Sequence, residues 1–579
     1  MEVLLIALGV VVVIALATAV APRVRIAGPM ILVAIGIGVG LLPAVDVPEV
    51  DPEWILVGVL PPLLYAAAVR LPALEFRRDF GPIAGLAFVL VILTSLALGA
   101  FFIAVIPGID PLIAIALGAI LSPTDAVATA IARRAGISRR VVTMLEGESL
   151  LNDATALVLL RTMVAAAAVA TSTVADTSVS FLPAFAWGVI AAVVIGAIVG
   201  LANLRLRSKI SNPPANTALA FVVPFIAYLP TEELGGSGLV AAVVAGIVTG
   251  QGAARYFSPE QRRSDEATWK TLEVMLEGGV FLLMGLELNA IIDGNFANNG
   301  GIGTGLILAG GAFFIILLMR TGYVTLLVWI QGRRATTVQR KRLAHISDRI
   351  DDIATRPESD GGLRARFDGP RSARSIASMR KRLASAMRDL DYYQATALGW
   401  KHGAVIVWAG MRGVVTLAAA QTLPRELPGR DLLIFVAFTV AVGSLAIQGL
   451  TLPWVVKLLK FPRSENTERA GRAEQEQIDD ALRDAAAAAV GHASLKQRDG
   501  SPFSEAMMKS VNAKLLQPRE LRSGDAHTYY ELRLAILRAM RARLNELARG
   551  GHYSTEALRQ ALAELDADEL SVQLRLESE

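Results

Sequence analysis

Ile113-Ala114-Ile115-Ala116-Leu117-Gly118-Ala119-Ile120-Leu121-Ser122-Pro123-Thr124-Asp125-Ala126-Val127 is the stretch on which the fold turns. An apolar run enters a proline that has no amide to donate and clashes with the preceding turn, so a helix here breaks. In lipid, the freed backbone groups and the carboxylate of Asp125 are tolerated only around a cavity or a site. The rest of the chain makes lipid the solvent: 579 residues, 53% hydrophobic, 19% charged, mean hydropathy +0.49. Uncharged stretches such as Leu4 to Ala21, Ile83 to Pro107 and Ile302 to Met319 each approach the roughly 20 residues needed to cross a bilayer as a helix. The chain reads as an all-α polytopic membrane protein. With 0 cysteines it has no disulfide, thiolate metal site or cysteine nucleophile.

Apolar runs and their Gly, Pro and charge punctuation give about thirteen spans, near 2–21, 25–43, 54–70, 80–106, 110–133, 142–169, 183–204, 213–230, 236–251, 271–290, 303–331, 400–424 and 431–458. Ala19-Val20-Ala21 resembles a cleavage site, but Glu2 replaces the basic start of a signal peptide, so the first run is kept as a span. Basic residues gather in alternate loops: Arg23 and Arg25; Arg70, Arg77 and Arg78; Arg133, Arg134, Arg139 and Arg140; Arg205, Arg207 and Lys209; Arg255, Arg262, Arg263 and Lys270. The other loops are neutral or acidic (Asp46, Glu49, Asp51; Asp110; Asp176; Glu232, Glu233; Asp293), with Arg425 and Arg430 as exceptions. Cytoplasmic loops are the basic ones, so the N-terminus is expected outside and the C-terminus in the cytoplasm of a bacterial inner membrane.

Residues 1–331 therefore carry spans 1–11 and 400–458 carry spans 12 and 13. Between them lies the insert 332–399, with about twice as many basic as acidic residues and a helix-like stretch from Ser378 to Tyr393. It reads equally as a solvated helix or as a surface for anionic lipid. After the spans, 461–579 is a helical tail, with apolar residues at helical spacing over Tyr529 to Leu547 and Thr555 to Leu565. Neither piece carries a nucleotide loop, a His-rich metal cluster or a catalytic triad pattern, and nothing points to nucleic acid.

Few ionisable groups fall inside the spans, and each is a candidate for function. Asp125 either caps a half-helix N-terminus or ligates a cation, the choices that a broken helix offers. In Gly147-Glu148-Ser149-Leu150-Leu151-Asn152-Asp153, Ser149 and Asp153 share one helix face, as do Glu148 and Asn152, while the two acids stand about 140° apart. Asp153, Asn152 and Ser149 make an all-oxygen cluster suited to a hard cation, the alternative being an Asp153 paired with a buried arginine. Arg320 must find an acid, with Glu148 as first choice. Arg412, between Gly410 and Gly413, marks a possible break in the twelfth span. Breaks in spans five and twelve, seven apart, suit two six-helix halves related by inversion around a lone seventh span, the pattern of a transporter.

Ser-Pro-Thr-Asp at 122–125, Gly-Glu-Ser-Leu-Leu-Asn-Asp at 147–153, Phe-Leu-Leu-Met-Gly-Leu-Glu-Leu at 281–288 and Gly-Met-Arg-Gly at 410–413 together resemble the monovalent cation:proton antiporter family 1, the sodium/proton exchangers, in its bacterial form. The resemblance covers about 1–458. It implies thirteen spans with crossed, partly unwound fifth and twelfth helices, and a homodimer. Residue by residue, it implies that Asp153 binds Na⁺ or proton, that Asn152 helps set the site, and that Thr124 and Ser149 add oxygen ligands. Glu148 and Arg320 would form a structural ion pair, and Asp125 and Arg412 would compensate the unwound chain. The long insert after Arg320 departs from the better-known exchangers, and the tail has no recognisable counterpart.

An apolar pocket disfavours a bare carboxylate, so Asp153 is expected to hold either a proton or Na⁺. With a neutral Asn152 beside one transported carboxylate, one Na⁺ for one H⁺ is the simplest balance: electroneutral exchange serving pH and sodium homeostasis, without ATP or cofactor. The expected partners are membrane lipid and monovalent cations. K⁺/H⁺ exchange is the alternative, because a Thr, Ser, Asn and Asp shell does not choose between alkali ions. A non-transporting sensor signalling through the tail is a reading of another class. An enzyme is disfavoured by the lack of a nucleophile, metal cluster or nucleotide loop near the membrane acids.

Overall fold

The computed structural model describes residues 2–24, 27–42, 53–125, 127–170, 181–210, 212–288, 291–292, 302–334, 387, 392–393, 396, 398–425, 427–461, 465–491, 501–504, 526–551 and 553–577. Arg25, the acidic loops at Asp46, Glu49 and Asp51, at Asp176 and at Asp293, and most of the insert 332–399 with its expected 378–393 helix lie outside these residues. The described chain is all-helical. Its apolar part comprises α1 (Glu2–Val24), α2 (Gly28–Gly40), α3 (Trp54–Arg70), the short α4 (Ala73–Arg78), α5 (Phe80–Val105), α6 (Pro111–Leu121) and α7 (Val127–Arg134). It continues through α8 (Arg139–Ala170), α9 (Phe181–Arg207), α10 (Pro213–Glu233), α11 (Gly238–Tyr256), α12 (Pro259–Leu286), α13 (Ile302–Arg334), α14 (Trp400–Trp408), α15 (Val414–Gln421) and α16 (Arg430–Leu458). Among the described residues, 7 helices are long and apolar enough to cross a membrane, and four shorter apolar segments accompany them.

Local chemistry sets the boundaries that matter. Asp110 starts α6: its Oδ1 accepts from Leu112 N at 2.7 Å and from Ile113 N at 3.2 Å, with Pro111 supplying a pre-set first turn. Ser258 and Gln261 form a reciprocal capping box ahead of Pro259, so α12 begins well before the 271 expected from hydropathy. The extra turns are charged and project from the apolar zone. Arg430, an exception to the loop-charge pattern, donates Nε to Leu423 O at 3.0 Å and Nη2 to Gln421 O at 2.7 Å. Its charge therefore answers the free carbonyls at the end of α15.

The helices pack as two bodies. α2 lies along α12, and α3, α9 and α10 gather around α11. At the first contact the backbones touch: a Cβ on Gly36 would sit 2.3 Å from Leu282 O, and one on Gly285 the same distance from Val33 O. The second body sets α5 and α8 against α6, and α13 against α14 and α16. Each body buries an arginine at its end. Arg207 donates Nη2 to Asp265 at 2.7 Å and Nε to Asn216 Oδ1 at 2.6 Å. Arg140 donates to Asp79 at 2.7 Å and, through Nη1, to Thr396 O at 2.8 Å, so the end of the insert is pinned to the second body. Tyr392 adds an O–H donated to Asp79 Oδ2 at 2.9 Å, and burial together with the Asp79 carboxylate pushes its phenol well above the ordinary value.

Beyond α16 come α17 (Glu465–Gly491), α18 (Ala526–Gly550) and α19 (Thr555–Glu577). They pack through Ile478, Leu482, Leu537, Leu544, Ala561 and Leu565, a small core of their own. This tail shares one end of the molecule with the basic turns at 70–78, 133–140 and 255–263.

Candidate ion-binding site

Two interruptions meet in the interior. The α6–α7 break spans 122–126 and the α14–α15 break spans 409–413. The two chains cross so closely that Asp125 N donates to Met411 O at 2.7 Å. Glycine is obligatory at the crossing: a Cβ on Gly413 would lie 1.4 Å from Asp125 Oδ2. Each half-helix end is answered by one charged residue. Asp125 Oδ1 accepts from Val127 N at 2.8 Å and caps α7. Arg412, 2% exposed, donates Nε to Leu121 O at 3.1 Å at the end of α6 and Nη1 to Gly410 O, while its own amide donates to Ser444 Oγ at 2.9 Å. An acid at a helix start and a base at a helix end match the two dipole signs that the breaks expose.

A hydrogen-bonded chain of side chains runs from this crossing into α8. Arg320 Nη2 donates to Glu148 Oε2 at 2.9 Å, Nη1 donates to Glu148 Oε1, and Nε donates to Ile406 O at 3.0 Å. Thr124 Oγ1 donates to Glu148 Oε1 at 3.2 Å, and Asn152 Nδ2 donates to Thr124 Oγ1 at 2.6 Å. The chain orients the amide so that Asn152 Oδ1 is buried with no hydrogen-bond partner among the described residues. Asp153 is 7% exposed. Among the described residues its carboxylate makes no hydrogen bond or ion pair, so the buried-arginine alternative is not what this structure holds. Thr124, Asp125, Ser149 and Asp153 line one cavity that extends to the tail end of the molecule.

Thr124, Ser149, Asn152 and Asp153 thus lie at one place, with Glu148–Arg320 behind them and Asp125 and Arg412 at the crossing. Sequence reading passed over three groups. Thr416, in the first turn of α15, lines the same cavity with a buried Oγ1 that lacks a partner among the described residues. Glu277 on α12 faces the cavity, one helical turn beyond Glu273, which pairs with Arg70. Glu287, at the end of α12, accepts from Gln421 Nε2 on α15 and so ties the two bodies together. The signals were available: Glu273 and Glu277 are acids at i,i+4 spacing, and Glu287 lies inside the quoted 281–288 run. The span taken as 271–290 contained all three acids, but none was weighed as a candidate.

Chemically, the arrangement offers an unpaired carboxylate, neutral oxygens with free lone pairs and two oppositely poled helix ends. Among the described residues the groups gathered around Asp153 are oxygens, with no thiolate, which suits a hard monovalent cation or a proton rather than a transition metal. Comparisons with known proteins agree. The model of the sodium/hydrogen exchanger transmembrane family matches residues 10–347 and 375–458, leaving out the middle of the insert. The chain is 30% identical over 431 residues to an uncharacterized Na(+)/H(+) exchanger of Mycobacterium tuberculosis, covering 73% of this chain and 68% of that one. It is 26% identical over 413 residues to a Na(+)/H(+) antiporter of Aphanothece halophytica, covering 71% of this chain and 65% of that one. In fold it is similar to the sodium proton antiporter of Methanocaldococcus jannaschii at pH 8, with a TM-score of 0.54 at 16% identity over 80% of this chain and 100% of that one. On the family match and the crossed, broken helices together, the chain belongs to the sodium/hydrogen exchanger family.

Proposed function

We propose that the protein is a secondary antiporter that exchanges Na⁺ or Li⁺ for H⁺ at Asp153, one for one. The observation that carries this reading is the buried Asp153 carboxylate, unpaired among the described residues, on the wall of a cavity beside the orphaned Asn152 Oδ1. Ser149, Thr124 and the orphaned Thr416 Oγ1 supply further oxygen for a partly dehydrated ion. Glu148 and Arg320 neutralise each other and stay put, and Asp125 and Arg412 hold the crossed ends. Only Asp153 then changes charge during the cycle, which supports electroneutral exchange. A bare carboxylate in this setting is disfavoured, so the bundle moves with a proton or a cation aboard, without ATP or bound cofactor. Every relative named here carries sodium in its name, which supports Na⁺ as the exchanged cation.

Thirteen crossings in two inverted six-helix halves, a cytoplasmic tail, residence in a bacterial inner membrane and a homodimeric assembly complete the reading. The sidedness rests on the alternation of basic loops, three of which contact the tail. The test is dissipation of a pH gradient in proteoliposomes on adding Na⁺, Li⁺ or K⁺, under a K⁺/valinomycin voltage clamp. Competition for one site requires the KM for Na⁺ to rise as pH falls while the maximal rate holds. Full exchange by Asp153→Asn would end this assignment.

A further inference from the structure

On the tail side the cavity separates the two helical bodies, lined by Leu64 of α3 and Glu277 of α12 from one and by Val127 of α7 and Ser149 of α8 from the other. On the opposite side, polar side chains tie the same bodies together. We infer that Arg161 with Glu232, and Gln421 with Glu287, form the outer lock of the ion pathway: weak contacts that close it on the side away from the tail and that each exchange cycle breaks and remakes. The inference rests on the antiporter reading, because a lock needs a pathway to close.

Chain direction places both contacts. α8 begins at Arg139, which pairs with Glu556 of the tail, and runs past Asp153 to Arg161, about 12 Å farther along at 1.5 Å per residue. α12 also begins beside the tail, where Arg262 meets Asp566, and Glu287 follows its last residue. Arg161 donates Nη1 to Glu232 and Nη2 to the Tyr228 hydroxyl at 3.4 Å, and Gln421 donates Nε2 to Glu287. Each contact therefore crosses from the body that carries Asp153 to the other one, from α8 to α10 and from α15 to α12.

The partners are fixed within their own bodies. Glu232 Oε1 also accepts from Gly238 N at 2.9 Å, at the start of α11. The turn between them has no slack: Gly235 takes φ +72°, a Cβ on Gly238 would lie 2.6 Å from Tyr228 Cδ2, and Trp187 Nε1 of α9 donates to Leu234 O at 3.0 Å. Glu232 thus stays with α9, α10 and α11 when the bodies shift, and Arg161 must let go. Gln421 is held on the other body by its backbone O, which accepts from Arg430 Nη2 at 2.7 Å. Its side-chain Oε1 is buried with no partner among the described residues, so the amide is only half satisfied in this arrangement.

Modest strength suits a contact that is remade on every cycle. The Arg161 and Glu232 side chains are 44% and 25% exposed, and an ion pair in such a setting shifts an equilibrium by no more than about 5-fold. The lock therefore biases the resting arrangement without freezing it.

The test places a reporter between Asp153 and the lock. Leu157, one helical turn from each, is 3% exposed, and because the chain has 0 cysteines Leu157→Cys supplies a single thiol. In right-side-out vesicles holding the full-length chain, Arg161→Gln with Gln421→Ala should speed labelling of that thiol by a membrane-impermeant maleimide at least about 3-fold. The KM for Na⁺ on that side should fall, since more of the protein already faces it. Independently, Arg161→Cys with Glu232→Cys, joined by a short bifunctional methanethiosulfonate, should stop exchange in proteoliposomes, and cleaving the bridge with dithiothreitol should restore it. Either a bridged protein that still exchanges, or a folded Arg161→Gln, Gln421→Ala protein whose thiol labels no faster, overturns the lock. A wild type that exchanges no alkali cation at all ends the antiporter reading instead, and the lock, with no pathway to close, ends with it.

Discussion

Glu148 and Arg320 allow a worked prediction, because both are almost wholly buried, at 1% and 2% exposure, and the pair shares two hydrogen bonds. Glu148→Gln turns one carboxylate oxygen into an amide donor facing the guanidinium and leaves a buried charge unopposed. Breaking such a pair from one side costs roughly 3–5 kcal/mol. Arg320→Met costs about the same, because it strands the carboxylate. The double variant Glu148→Gln, Arg320→Met carries no net charge and keeps an oxygen for Thr124 Oγ1 to bond. It loses the donor to Ile406 O, worth about 1–3 kcal/mol. The singles summed would give roughly 6–10 kcal/mol, so the double variant should be far more stable than additivity predicts. Thermal unfolding of the detergent-solubilised protein, read as a ranking because such unfolding is irreversible, is the assay. Each single should melt roughly 2–4 °C below wild type. The double should fall between singles and wild type, and exchange at 20 °C should survive in it because Asp153 is untouched. A double variant that melts as low as the sum of its singles refutes the pairing argument, and loss of Na⁺ affinity in a well-folded double would move Glu148 from scaffold to ligand.

Other outcomes follow from single contacts. Gly413→Ala should abolish both exchange and stable folding, whereas Gly322→Ala, with open space around its Cβ, should leave exchange intact and stabilise α13 by up to about 1 kcal/mol, both read by melting and flux. Ser444→Ala removes the acceptor of Arg412 N and should cost about 1–3 kcal/mol in a melt without changing the KM for Na⁺. Thr416→Val, a near-isosteric loss of one oxygen, should raise the KM for Na⁺ while the melt is unchanged or improved, since among the described residues the hydroxyl has no partner to lose. Gln421→Ala cuts the Glu287 contact between the two bodies, and should speed maleimide labelling of a cysteine placed at Thr422.

Much of this architecture is written in local chemistry, and the gaps fall where chemistry is shared between distant segments. Pro123 announces the first break because proline acts on its own helix, and Gly410 with Gly413 flags the second for the same kind of reason. The Asp125 N to Met411 O bond, which makes two breaks into one crossing, joins residues far apart in sequence and no periodicity encodes it. Arg320 required an acid, and Glu148 could be named because so few membrane acids exist. Glu277 and Glu287 lay inside the 271–290 span but escaped because the cavity and the Gln421 partner that give them a role belong to distant helices. The exception at Arg430 shows the limit of counting loop charges: the residue is spent on the carbonyls of α15, and a charge with a structural partner tells little about sidedness.

The tail illustrates the same limit from the other direction. Apolar spacing over 529–547 and 555–565 marks helices, but Glu75 reads as one more loop charge until Thr555 is seen against it. Ser554 Oγ, inside the tail, already caps α19 by accepting from Ala557 N at 3.2 Å, and Glu75 adds an acceptor for the Thr555 amide, which undocking leaves to water. The docked state is therefore favoured by helix capping as well as by ion pairs. Raising ionic strength weakens the Arg139–Glu556 and Arg262–Asp566 pairs but leaves the Glu75 cap. Salt alone should therefore loosen the tail only part of the way, read as amide hydrogen exchange over 555–577, and Glu75→Ala in the same salt should supply the remainder.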